Sequence, residues 1–341
     1  MTVLAGTSKG VFAIDWYGDA AGEGGNGGGA RAVLESRGVR ELVALEGRLF
    51  AGTGAGLYVS DDSGESWALS GLADYEVWQV RGAGDGVLYA GTQPAGLFRS
   101  ADAGASWQEI ESFAAAPQAA EWCVPVTPRL PGRARALVVD AQDPRRIWVG
   151  VEVGGIMRTE DGGESWQFTL PGDNPDLHMM CAAPDAPDVL YASTGYGRLD
   201  GVAEMVEGNA GVFRSDDGGQ SWNYAWAGIT PRYSRPMCID PRPPHGLTVA
   251  SAPTAFSSFK DEGGAQAMLY RSEDGGRHWR SLSDAAHSPS AANIHGLAPD
   301  PASPGGVLIG TDTGEVWRVG DDAAWQPLAS GLPAVLSVLA V

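Results

Sequence analysis

Seven short apolar runs recur along the chain, most ending in a small or hydroxylated residue. They are Val3-Leu4-Ala5-Gly6-Thr7, Leu49-Phe50-Ala51-Gly52-Thr53, Leu88-Tyr89-Ala90-Gly91-Thr92 and Ile147-Trp148-Val149-Gly150-Val151, then Leu190-Tyr191-Ala192-Ser193-Thr194, Leu247-Thr248-Val249-Ala250-Ser251 and Val307-Leu308-Ile309-Gly310-Thr311. Their spacing is roughly 40 to 60 residues, the period of propeller blades. Each is preceded by another apolar run, such as Ala136-Leu137-Val138-Val139, and followed by a third, such as Gly211-Val212-Phe213-Arg214. Short strands at even spacing, four to a repeat, predict an all-β fold: a seven-bladed β-propeller with four-stranded antiparallel blades, built as one unit over 1–341. The first repeat lacks an innermost strand, and the chain ends in an unpartnered apolar run, Val335-Leu336-Ser337-Val338-Leu339-Ala340-Val341. Pairing that run with the N-terminal blade would close the ring and remove an exposed edge.

Between the third and fourth strands lies a second repeat. Residues 60–67, 100–107, 159–166 and 215–222 all read Ser/Thr-x-Asp-x-Gly-x-Ser-Trp, and 272–279 differs only in His278 at the seventh place. A worn copy ends at Asp321-Asp322-Ala323-Ala324-Trp325. Short Asp and Ser side chains bond the backbone donors of a tight turn, and Gly takes angles that other residues resist, so the pattern predicts a turn staple. The closing Trp is expected to begin the next strand and pack on a neighbouring repeat. The pattern resembles the Asp-box (BNR) repeat of sialidase-like β-propellers, within the wider WD40/YVTN/BNR-like repeat group. The first blade lacks a box; a Gly-rich stretch over 18–30 stands in its place and reads as a surface loop.

Loop lengths separate the two faces of the disc. On one face lie the short, Pro-rich links 140–146, 184–189, 240–246 and 300–306, together with the boxes. The other face holds the long inserts 109–133, 195–210, 225–234, 252–267 and 280–292. Long loops on one rim of a rigid scaffold mark the working face.

Charge narrows the partners. The formal net charge of −19 argues against nucleic acid and anionic membrane. Lys9 and Lys260 are the only lysines, so nearly all positive charge is Arg, which suits bidentate contact with carboxylates. Cys123, Cys181 and Cys238 show no metal-type spacing and read as free thiols. Met1 leads directly into a repeat strand, with no basic start, apolar run and cleavage site, and the chain reads as cytoplasmic.

Aligning the inner strands puts Arg40, Trp78, Arg135, His178, Arg235 and His295 in register at the channel mouth. Two residues earlier come Gly38, Glu76, Arg133, Asp176, Tyr233 and Asn293, which strand alternation places on the same face. Glu152 ends a second strand of the fourth blade and is expected to reach the mouth, while Trp122, Tyr196 and His287 are expected at its rim. His245 and His278 fall on the opposite face. Such a ring predicts a site for a small anionic or hydroxylated, sugar-like ligand, although polar channel walls also serve solvation alone.

Three function classes follow. The family resemblance implies a glycosidase-like hydrolase. Sialidase-like enzymes hold a substrate carboxylate with three arginines, use an Asp as acid/base and a Tyr backed by Glu as nucleophile. By that resemblance Arg40, Arg135 and Arg235 (or Arg133) form the clamp, Asp176 carries the proton, and Tyr233 pairs with Glu152; the sialidase Arg-Ile-Pro pattern is absent. The second class is a metal-dependent hydrolase or lyase, with a divalent ion on His178 and His295 plus Asp176 or Glu152. The third is a non-catalytic scaffold, as in the seven-bladed Asp-box proteins that help assemble photosynthetic complexes.

Overall fold

The structure, a computed structural model, describes residues 1–16, 29–195 and 206–341. It is a seven-bladed β-propeller of four-stranded antiparallel blades. The innermost strands are Glu41–Leu45, Glu76–Gly82, Arg133–Val139, Leu177–Ala183, Tyr233–Ile239, Ile294–Pro299 and Val335–Ala340. Ring closure follows the expected route. Val335–Ala340 pairs antiparallel with Thr2–Thr7, which continues outward through Gly10–Asp15 to Ala30–Glu35. The core lies between blades rather than at one centre. Each sheet buries a face of Val, Leu, Ile and aromatic residues against the next, for example Trp148, Leu177 and Leu190 between the fourth and fifth. Among the described residues, no helix is long and apolar enough to cross a membrane.

The repeated eight-residue turns are stapled by their own side chains. In 215–222, Ser215 Oγ accepts from Gly219 N at 2.8 Å and donates to Asp217 Oδ1. Asp217 in turn accepts from the backbone N and hydroxyl of Ser221, at 2.9 and 2.6 Å. Gly219 sits at φ 81°, and a Cβ there would lie 3.0 Å from the Trp148 indole, so both backbone angle and space require glycine. At 272–279, His278 Nδ1 reaches Asp274 Oδ2 at 2.6 Å, standing in for the missing serine hydroxyl. The closing tryptophans precede the outer strand by one residue rather than beginning it. The Trp107 and Trp279 indoles bond the preceding blade, Trp279 Nε1 to Ala225 O at 2.8 Å, while the Trp67 indole bonds Gly64 O of its own turn.

One long insert is more ordered than a loop reading suggests. Residues 109–133 contain a helical turn, Glu111–Ala114, a 3-10 turn, Pro117–Glu121, and a small hairpin, Cys123–Val124 with Leu130–Pro131. Phe113 anchors it, fully buried with its ring 4.8 Å from Trp122 and 5.2 Å from Trp166. Trp122 is therefore part of this small core. Most of the Gly-rich stretch 18–30, Tyr196 and most of 195–210 lie outside the described residues.

Replacing Ser215 with Ala removes the acceptor for a buried backbone N–H and should cost about 0.5–2 kcal/mol, as loss of a helix cap does. Chemical unfolding measures this directly, and an unchanged midpoint would remove the staple. The staple also predicts acid sensitivity. Hydroxyl and amide donors around Asp217, the Ser221 hydroxyl first, hold its carboxyl down at about 2 against an ordinary 3.8. A depressed folded pKa gives stability that is complete above the unfolded value and is lost as pH falls towards the folded one. The Tm gap between the natural protein and Asp217→Asn should therefore be constant above about pH 5 and narrow between pH 4 and 2.

Candidate functional site at the channel mouth

Five of the inner strands break register where they reach the channel mouth. The pairing skips Trp78, Arg135, His178 and His295, and skips Arg235 together with Pro236. A bulge leaves the skipped residue out of the ladder and re-aims its side chain. All five of these side chains line a central cavity of about 480 Å³, joined by Arg40, Arg133 and Glu152. Arg40 arrives differently, from just before the strand Glu41–Leu45. A volume of this order is typical of small-molecule sites.

The earlier register set does not share one fate. Arg133 joins the cavity wall, and Glu76 holds the Arg40 guanidinium. Asp176 and Tyr233 flank His178. Asn293 leaves the site: its amide donates to Ser257 O, bracing the 252–267 insert, and its backbone N bonds Asp312. Bulges break the strict two-residue alternation on which the common face depended. His287 stacks on Trp325 at 4.1 Å and bonds Asp284, away from the cavity. His245 pairs with Asp185 on the opposite face.

Cations dominate one side of the cavity. Arg40, Arg133 and Arg135 surround the Trp78 ring, with guanidinium carbons 4.5, 5.1 and 4.8 Å from its centroid. Arg133 and Arg135 also grip Glu152, at 3.1 and 2.8 Å. Burial works to raise the Glu152 pKa, but the charges of Arg135 and Arg133 outweigh it and hold the carboxyl well below its usual range. The expected Tyr233–Glu152 pair is thus not formed, because two guanidinium groups already occupy the Glu152 oxygens. Arg235 has no ion-pair partner among the described residues, and burial pushes its guanidinium below its ordinary value. His295 is driven down to about 3 by burial and by Arg235, Arg40 and Arg135, so it is neutral at physiological pH. Among the described residues, three buried donors at this site have no acceptor: Trp78 Nε1, Arg135 Nε and Arg235 Nε.

His178, on the cavity wall, joins a cluster with the buried Asp176 and Tyr233. His178 Nδ1 lies 2.7 Å from the carbonyl oxygen of Ser234, which only accepts, so Nδ1 carries the hydrogen. Its Nε2 lies 3.1 Å from the Tyr233 hydroxyl and 3.3 Å from Asp176 Oδ1. Burial first, then the Asp176 charge, raises the Tyr233 pKa well above its ordinary value. Gly195 covers this cluster. A Cβ there would lie 2.6 Å from both His178 Cε1 and Tyr233 Cε2 and would also strike Asp176 Oδ2. No sequence signal marked Gly195, since it matters only through contacts with two other strands.

Glu152, Asp176 and His178 offer ligand atoms all within 4.8 Å of one another, enough to hold a metal ion. His295 is not part of that group and lies among arginines instead.

No protein-family model matches the chain. Over 294 residues it is 24% identical to a probable oligoxyloglucan-reducing end-specific xyloglucanase of Neosartorya fischeri, covering 75% of this chain and 34% of that protein. The chain therefore spans about a third of the length of that relative. Among solved structures, the GH74 enzyme of Niastella koreensis superposes with a TM-score of 0.61 at 15% identity, over 95% of this chain and 46% of that one. YCF48 from Cyanidioschyzon merolae superposes with a TM-score of 0.55 at 16% identity, over 87% of this chain and 91% of that one. The chain is a seven-bladed β-propeller similar to GH74 xyloglucanases and to YCF48.

Proposed function

We propose that the channel mouth binds a small acidic carbohydrate and cleaves a glycosidic bond in it. The observation that carries this reading is the donor-rich wall: among the described residues, three of its buried N–H groups have no acceptor and Arg235 has no ion-pair partner. An uncompensated buried cation is costly. A carboxylate satisfies several such groups at once, through the planar geometry that guanidinium recognises. The xyloglucanase relatives support a carbohydrate as the ligand class. Together these favour a sugar acid over a plain anion. For cleavage, Glu152 and Asp176 offer two carboxylates, an oxygen of each within 4.8 Å of the other, and glycosidases work with a carboxylate pair.

A second reading is supported by the Glu152, Asp176 and His178 group. His178 donates Nδ1–H to Ser234 O and turns Nε2 inward, the orientation that a backbone carbonyl imposes on metal-ligating histidines. A divalent ion would sit on these three residues, not on His178 with His295.

Two measurements follow. Arg235→Ala should weaken binding of glucuronate or galacturonate, read by calorimetry, by tenfold or more (about 1.4 kcal/mol) without lowering Tm. Equal affinity for a neutral sugar such as xylose would remove the anion reading. Elemental analysis of protein purified without chelator or affinity metal should show near-stoichiometric metal, lost in His178→Ala and kept in His295→Ala, if the second reading holds. Metal-free protein would remove it.

A further inference from the structure

We propose that the ligand of this cavity is a uronic acid joined to an apolar aglycone, with Arg235 and Arg135 holding the carboxylate and Leu336 and Leu297 receiving the apolar group; this rests on the carboxylate-binding reading above. The observation that carries it is a further bulge, on the closing strand. Its pairing takes Ser337 to Gly6 and Val335 to Thr7, and so skips Leu336. Leu336 is thus the first blade's counterpart of Trp78, Arg135, His178, Arg235 and His295, which the bulges of the other blades turn towards the cavity. Where those blades present a guanidinium, an indole or an imidazole, this one presents bare hydrocarbon.

Leu336 belongs to the cavity and not to the core. It lines the cavity and is only half-buried, and among the described residues the apolar layers on either side of its blade do not include it. An apolar side chain left facing water gains the free energy of burial only when something covers it. Leu297 stands two residues beyond His295 on the neighbouring inner strand, lines the same cavity and is likewise half-buried. Between them lies the neutral His295 ring, so this sector of the wall carries no charge.

The polar groups beside this sector are already committed. Ser337 Oγ donates to Val39 O at 3.1 Å, the Glu41 carboxylate takes Val80 N and Arg81, and Glu76 holds Arg40. A second sugar ring placed here would bury hydroxyls against leucine without partners, which is unfavourable. An aryl or alkyl group covers the two leucines and needs no hydrogen bond. Arg235, on the strand next to that of His295, supplies the charge for the other end of the same molecule. A cavity of about 480 Å³ has room for both ends of one small ligand.

The test is calorimetry on the full chain with the methyl and phenyl glycosides of glucuronic and galacturonic acid, and with phenyl glucoside. A phenyl uronide should bind roughly tenfold or more tighter than its methyl counterpart and than phenyl glucoside. Leu336→Asn should bring the phenyl-to-methyl affinity ratio close to one without a fall in Tm, and Leu336→Met should keep most of it. Equal affinity for methyl and phenyl uronides, or an unchanged ratio in Leu336→Asn, would overturn the inference while leaving the carboxylate site standing. Phenyl glucoside held as tightly as the phenyl uronides, or no binding of any uronide, would remove both.

Discussion

The pairing of Val335–Ala340 with Thr2–Thr7 joins the two ends of the chain, and the geometry of the whole molecule depends on it. A propeller blade buries each of its two faces only against a neighbouring blade, so an open ring would leave two blade faces and an inner edge in water. Closure by the last strand supplies the missing inner strand of the first blade, and Ser337 Oγ then bonds Val39 O on the next. It also sets the width of the axis. Residues nearly two hundred positions apart in sequence, from Arg40 to Arg235, meet across one small cavity because seven strands begin at the same ring.

What that ring brings together is electrostatically unbalanced. Arg40 is held by Glu76, and Arg133 and Arg135 by Glu152. Arg235 stands outside these pairs, with His295 kept neutral beside it. Taking charges out of water without partners opposes folding, so an arrangement of this kind is sustained by the rest of the fold. The apolar layers between blades and the stapled turns on the opposite face supply that support.

Much of the architecture was legible because it is repeated. Seven apolar strands and five eight-residue turns repeat their local chemistry, and local chemistry is what a sequence displays. His278 is instructive: it broke the pattern at the seventh position, yet the ring nitrogen makes the bond that serine makes elsewhere. The channel ring was legible by the same route, since Trp78, Arg135, His178, Arg235 and His295 occupy equivalent places in their blades. Asn293 was misplaced by that reasoning, because alternation carries through a strand only until a bulge interrupts it.

The sequence by itself determined the fold class, the blade count, the closing strand and the residue types at the mouth, all of which follow from periodic burial and turn chemistry. Only the tertiary structure decided how those residues pair. That Glu152 binds two arginines rather than Tyr233, that Tyr233 binds His178, and that Gly195 closes over both depend on which side chains from different strands meet first. Such contacts are set by distances of a few tenths of an ångström across the channel, and no spacing along the chain encodes them.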